Sequence, residues 1–333
     1  MRILVVGLGS MGRRRLRNLT HIGGHDLAGM EPGAERGGAV AAEFSIPVFA
    51  SLAEGLAWGP EAVVISTPPD THTEIALEAA RHGVHFFTEA SVVAHGLDDL
   101  AAAADAAGII GAPSCTMRFH PAVQLMRRRI AEGTIGRPLA LNHHVGQYLP
   151  DWHPWEDYRT YYVAKRETGA AREIVAFELN WLTYLLGPVT RVAALRGKVS
   201  DLEVDIDDIY SGVFAFESGA QGSMVIEVVS RPAIRRARIA GESGTLVWDW
   251  NERVVREWRA ETGVWEDFPD PQPVAGPGGD WVAENMYIEE MKGYLAAIEG
   301  REPWLLPLAE DTRLLAVVRE MEASSDRTPR RSV

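Results

Sequence analysis

The sequence predicts an α/β chain of two domains: a doubly wound parallel sheet first, then an α+β domain with an open, largely antiparallel sheet. Three observations carry this expectation. An apolar run, Arg2 to Val6, feeds into Gly7-Leu8-Gly9-Ser10-Met11-Gly12 and then a proline-free helical stretch. Apolar strands and helices then alternate as far as Ala112. Beyond Gly136, strands follow one another with few helices between them. Alternation calls for parallel strands joined by helical crossovers, and consecutive strands call for hairpins.

The glycine turn fixes the first domain. Gly7 suits a tight turn, Gly9 lets backbone approach a pyrophosphate, and Gly12 lets helix pack close to strand. Ser10 and Met11 complete the turn, whose helix N-terminus presents free N–H groups to phosphate oxygens. Leu27 to Met30 forms the next strand and ends in Glu31, placed to accept both hydroxyls of an adenosine ribose. Glu31 therefore argues for NAD, while nearby Arg36 leaves NADP as the alternative. Together these features describe a dinucleotide-binding Rossmann domain, assigned to residues 1–118.

The run from Ala62 through Thr67 reads as a buried parallel strand stopped by Pro68-Pro69, with Asp70 or Thr71 capping the following helix. Val84 to Glu89, a further helix and Ile109 to Ala112 complete the domain. The second domain is assigned to residues 119–323. It holds a helix at Pro121 to Glu132 and strands at 139–147, 189–199, 208–217, 220–230, 237–241, 245–251 and 254–259. One helix at 170–186 interrupts the strands, and helices at 281–299 and 308–323 close them. Phe268 to Gly279 reads as a loop and 324–333 as a flexible tail.

Composition narrows the function. The 333 residues carry 33 Lys and Arg against 46 Asp and Glu, a formal charge of -13, which disfavours nucleic acid as a partner. No apolar run reaches the length of a membrane span, and the single Cys115, in an apolar segment, suits a reducing compartment. A cytoplasmic protein without a membrane partner or a metal site is expected. Arg13-Arg14-Arg15 is placed to hold phosphates or to solvate a helix, and Arg127-Arg128-Arg129 reads as a wet helix face.

Across nearly the whole chain the sequence resembles the glucose-fructose oxidoreductase and inositol dehydrogenase family, Gfo/Idh/MocA. The likeness rests on the glycine turn, Ser66-Thr67-Pro68-Pro69-Asp70-Thr71-His72, the Glu89 strand end, Arg118-Phe119-His120-Pro121, Gly133 to Gly136, and the Gly241 to Leu246 hairpin. The resemblance implies hydride transfer at a sugar or polyol carbon. Thr67, Pro68, His72 and Glu89 would line the nicotinamide side, and the second sheet would form a homodimer or homotetramer. Members usually carry Glu-Lys-Pro after the fifth strand and Asp-x-x-x-His on a second-domain helix. Here Glu89-Ala90-Ser91 replaces the first, while Glu173 and Phe177 fall at the Asp and His of the second.

Two readings compete: the acid/base work has moved to another group, or the tyrosine-rich stretch that follows only packs on the sheet. Candidates crowd 151–173: His153, Tyr161, Lys165 and Glu173, with Glu178 next along. If 161–165 is helical, Tyr161 and Lys165 share a face and the ammonium lowers the phenol's pKa. Aromatics in the same stretch suit sugar rings, and His153, Arg159, Lys165 and Arg166 suit anionic groups, so an anionic or nucleotide-linked sugar is expected. The leading expectation is an NAD-dependent sugar oxidoreductase. An NAD-assisted epimerase or dehydratase without net redox change and a non-catalytic dinucleotide sensor are the alternatives.

Overall fold

The computed structural model describes residues 1–271 and 284–327. The chain divides into two compact units, Met1–Phe119 with Pro273–Arg313, and His120–Gln272 with Leu314–Val333.

In the first unit the order is β1 (Arg2–Val6), α1 (Ser10–Ile22), β2 (Asp26–Met30), α2 (Ala34–Phe44), β3 (Val48–Phe49), α3 (Leu52–Ala57), β4 (Ala62–Ile65), α4 (His72–Arg81), β5 (His85–Thr88), α5 (Leu97–Ala107) and β6 (Gly111–Pro113). The strands are all parallel, in the order β3-β2-β1-β4-β5-β6. Ile3 to Val6 and Ala62 to Ile65 are wholly buried, as continuous apolar runs in a two-faced sheet must be. The order reverses between β1 and β4, and in such sheets ligands bind beyond the strand C-termini at that reversal.

The second unit contains α6 (Pro121–Ala131), β7 (Pro138–Gly146), α7 (Ala170–Leu186), β8 (Val189–Gly197), β9 (Ile209–Phe216), β10 (Gln221–Glu227), β11 (Ile234–Gly241), β12 (Gly244–Asp249), β13 (Val254–Arg259) and β14 (Trp265–Pro269). The sheet order is β14-β13-β12-β11-β7-β10-β9-β8. Only the β7–β10 pair is parallel, so the largely antiparallel expectation holds. Helix α6 starts cleanly because Pro121 takes its first position and His120 Nδ1 accepts the Ala122 N–H at 3.1 Å.

Helices α8 (Glu284–Ile298) and α9 (Leu308–Arg327) follow. The sequence reading placed α8 in the second domain, but the structure puts it in the first unit. The reason is a buried carboxylate: Glu290 accepts from Ser114 Oγ, the Cys115 N–H and Thr116 Oγ at 2.7–2.9 Å. No sequence periodicity announces a contact 174 residues away. Residues 324–327, read as tail, extend α9, because Ser324 and Ser325 hydroxyls accept N–H groups of Ala194 and Arg196 on β8. Phe268 and Pro269, read as loop, end β14; Asp270 and Pro271 follow it. The remainder of that loop, residues 281–283 of the expected helix, and 328–333 of the tail lie outside the described residues. Among the described residues no helix is long and apolar enough to cross a membrane.

Candidate functional site

The first unit gathers the expected dinucleotide residues at the C-terminal ends of four neighbouring strands. Backbone bonds lock these ends together: Gly7 N–H to Met30 O, Ser66 N–H to Val6 O, and Glu89 N–H to Ile65 O, all at 2.8–3.0 Å. Gly7 has φ +84°, and a Cβ there would stand 2.8 Å from Thr67 Cγ2. A Cβ on Gly12 would overlap the Gly7 carbonyl oxygen. By contrast, a Cβ on Gly9 meets nothing within 4 Å, so the turn is open where an incoming pyrophosphate needs backbone access. Gly9 caps α1 without a side-chain hydrogen bond, leaving the first-turn N–H groups of Ser10, Met11 and Gly12 for an anion.

Glu31 is buried at the end of β2. It accepts the Leu8 and Gly33 N–H groups, each at 3.1 Å, and pairs with Arg36 at 3.4 Å. Thus the carboxylate is preorganised beside the glycine turn, and Arg36 is tied to it. The fit to a dinucleotide is good: open backbone at Gly9, a fixed acid at Glu31, and no side chain filling the turn.

Glu89, at the end of β5, is firmly anchored. The fully buried Arg15 grips both its oxygens at 2.7 Å, Ser66 Oγ donates to it at 3.0 Å, and Arg15 NH1 reaches Glu290 at 2.8 Å. Burial works against the Arg15 charge, but Glu89 and Glu290 outweigh it and raise its pKa. Within the basic triplet, Arg13 pairs with Glu43 at the surface, Arg14 with Glu284, and the buried Arg15 with Glu89 and Glu290. His72 is buried, with Nε2 bonded to Thr67 O at 2.8 Å and burial lowering its pKa. The bond must be donated by Nε2, so Nδ1 is the acceptor nitrogen. His72 thereby braces the Thr67-Pro68 segment from beneath.

The second unit brings together three of the four proton-transfer candidates. His153 stacks on Tyr161 at 5.7 Å, Tyr161 meets Tyr162 edge-on at 5.6 Å, and Tyr162 OH donates to Glu173 at 3.2 Å. Glu173, in the first turn of α7, is partly open yet surrounded by enough protein for burial to raise its pKa to about 7 against the Tyr162 hydrogen bond. Its Oε2 has no hydrogen-bond partner among the described residues.

Two expectations fail here. Tyr161 and Lys165 do not lie on a helix: only Tyr162–Ala164 forms a 3₁₀ turn, and both flanking residues are extended. Burial, then Glu156 and Glu173, push the Tyr161 phenol up to about 12, the reverse of activation by an ammonium. Lys165 is exposed. Glu178 is also removed as a proton carrier. Burial opposes its charge, but Arg235 at 2.8 Å, His143 Nε2 at 2.9 Å and Trp181 Nε1 at 2.6 Å hold its pKa at about 2.

Comparison with known proteins fits this arrangement. Residues 1–127 match the oxidoreductase family with an NAD-binding Rossmann fold, and residues 123–247 match the GFO/IDH/MocA C-terminal domain. The chain belongs to the Gfo/Idh/MocA oxidoreductase family. It is 34% identical to UDP-N-acetylglucosamine 3-dehydrogenase of Acidithiobacillus ferrooxidans over 97% of both chains. It is 30% identical to 1,5-anhydro-D-fructose reductase of Ensifer adhaerens over 68% of both. An Agrobacterium radiobacter oxidoreductase solved with NAD+, L-tartaric acid and magnesium has the same fold, with TM-score 0.87 and 14% identity over 98% of this chain and 96% of that one. The Gfo/Idh/MocA chain is thus an NAD-dependent oxidoreductase.

Against the family pattern, Ser91 gains a partner that a proline could not have. Its hydroxyl bonds the buried Asp311, whose pKa burial raises to about 6 despite Ser91 and Arg118. Tyr162, within the dense 151–173 stretch, donates to Glu173 of α7. Arg235, on β11 and outside that stretch, pairs with Glu178 of α7 and is the contributor the sequence hid.

Proposed function

We propose that this chain oxidises a secondary hydroxyl of a sugar or sugar derivative, with Glu173 taking the hydroxyl proton as hydride leaves carbon. The observation that carries the reading is the Glu173 carboxyl, held at about pKa 7 with one oxygen unpartnered. A base poised near the working pH transfers protons most effectively. Both curated relatives named above are enzymes of sugar derivatives by their names.

Bound NAD supplies the hydride acceptor. Gly7, Gly9, Ser10, Met11 and Gly12 receive the pyrophosphate at the α1 N-terminus, and Glu31 holds the adenosine ribose. A carboxylate has about four acceptor sites, so Glu31 keeps capacity beyond its backbone bonds. Thr67 and Pro68 line the nicotinamide side, braced by His72; Glu89 keeps that strand end in place through Arg15. In the second unit, Tyr162 orients Glu173 and stabilises its ionised form, while Tyr161 and His153 form a flat wall beside it. Lys165 has no part in the relay.

A spectrophotometric screen tests this reading. NAD+ reduction should appear with a hydroxylated sugar derivative and fall by about 10²-fold or more in Glu173→Gln, with NADH affinity retained. Equal turnover in that variant would sink the assignment. Cytoplasmic location and a homodimer or homotetramer belong to the same proposal. The exposed Leu195 and Val213 on adjoining strands β8 and β9 support a subunit contact there, and sedimentation of the full chain reads it out.

A further inference from the structure

In the first unit, one nitrogen of His72 is left unanswered. Burial lowers the His72 pKa and so favours the neutral ring; Nε2 donates to Thr67 O at 2.8 Å, which leaves Nδ1 with a lone pair. That nitrogen is buried without a hydrogen-bond partner among the described residues. The same ring lines a small pocket, together with Thr88 at the end of β5 and Ser91 three residues later. Leu97 and Leu100 of α5 and Leu308 of α9 also line it.

Size and polarity select the occupant. The space inside is about 10 Å³, which suits one water and is too small for an organic ligand. A buried water takes about two to four polar partners. The Ser91 hydroxyl already donates to Asp311, since that bond favours the ionised carboxylate, so Ser91 Oγ has only lone pairs left to offer. His72 Nδ1 is likewise an acceptor, and the Thr88 hydroxyl can rotate to donate. The count closes on a single molecule: two O–H groups for the two acceptors, and a lone pair for Thr88.

We propose that this pocket is a binding site for one water, which donates to His72 Nδ1 and Ser91 Oγ and accepts from Thr88. The water joins the segment after β4, which His72 braces at Thr67, to the segment after β5. A bridging water of this kind holds two groups nearly as well as a direct hydrogen bond. Ser91 stands where the family has a proline, which carries no hydroxyl, so the bridge goes with the altered tripeptide. His72 and Ser91 are thereby positioning residues for the nicotinamide side. That last role rests on the reading of Thr67, Pro68 and Glu89 above, whereas the water site itself does not.

High-resolution crystallography of the full chain, with long-range proton–nitrogen NMR of its histidines and amide exchange in solution, tests it. Wild type should show one water within about 3.2 Å of both His72 Nδ1 and Ser91 Oγ, and the NMR should find His72 protonated on Nε2 alone. His72→Gln keeps an amide N–H for Thr67 O but puts no acceptor in place of Nδ1, so the water should leave. His72→Asn sets an oxygen there and should hold it. In Ser91→Ala, amide exchange should quicken about fivefold, the equivalent of one hydrogen bond, at 67–73 as well as at 89–93. No water in wild type, a water that does not touch Nδ1, a proton on Nδ1, or faster exchange confined to 89–93 overturns the proposal. The density and the tautomer need no variant, so a folding defect in one leaves the test intact. Failure of wild type to take up NADH would instead strike the oxidoreductase reading and leave the water site standing.

Discussion

Glu173 shows how one side chain's surroundings set both chemistry and stability. Its pKa in the folded chain, about 7, exceeds the ordinary 4.5, so folding favours its protonated form. That contribution is complete below the ordinary value and is lost as pH rises through the folded value; above it the buried charge costs up to about 3 kcal/mol, less whatever its partial exposure relieves. Urea midpoints at about pH 5 and about pH 9 should therefore differ less in Glu173→Gln than in wild type. Tyr162→Phe removes the one hydrogen bond that favours ionisation and should move the Glu173 titration upward. The sequence made the crowding of 151–173 legible, but not which member of it is activated. Tyr161 and Lys165 had suggestive spacing, yet spacing implies proximity only inside a helix, and the chain there is extended around a single 3₁₀ turn.

At the scale of the element, the glycine turn separates two reasons for glycine. Gly12→Ala forces a side chain against the Gly7 carbonyl and should destabilise the first unit by about 1–3 kcal/mol in chemical denaturation. Gly9→Ala meets open space and, with no positive φ to strain, should leave stability unchanged or raise it by up to about 1 kcal/mol. NADH affinity should nonetheless fall about tenfold or more in Gly9→Ala, as expected for a group that blocks the approach of the pyrophosphate. Such an element is legible in sequence because its constraints are local: strand, turn and helix lie within about 20 residues. Short or exposed elements were not. Helix α3 has six residues, α2 buries only Gly37 and Val40, and β14 lies along the edge of the sheet with mostly exposed side chains.

For the whole molecule, the sequence conveyed two domains and their sheet types but not how late segments return to early ones. Arg15 and Glu290 make that point. Their pair is fully buried, and Arg15 also neutralises Glu89. Arg15→Met should leave two carboxylates without their cation and cost about 3–5 kcal/mol, read as a large drop in the denaturation midpoint of the first unit. Glu290→Gln should cost less, since the amide oxygen still accepts from Ser114 Oγ and the Cys115 N–H. Nothing local in Arg13-Arg14-Arg15 distinguishes the residue that faces inward, because the partner's helix lies beyond two hundred intervening residues. The Arg235 contacts are hidden for the same reason: Arg235 meets Phe177 and Trp250 only once β11, the turn after β12 and α7 are assembled.

The most direct test of the account is the pH profile of kcat/KM for sugar oxidation in wild type and Glu173→Gln. Wild-type activity should rise with pH through about 7 and level off, as Glu173 ionises and becomes able to accept the proton, and this limb should vanish in Glu173→Gln along with most of the rate. An unchanged ascending limb in Glu173→Gln would contradict the account and place the base on another residue.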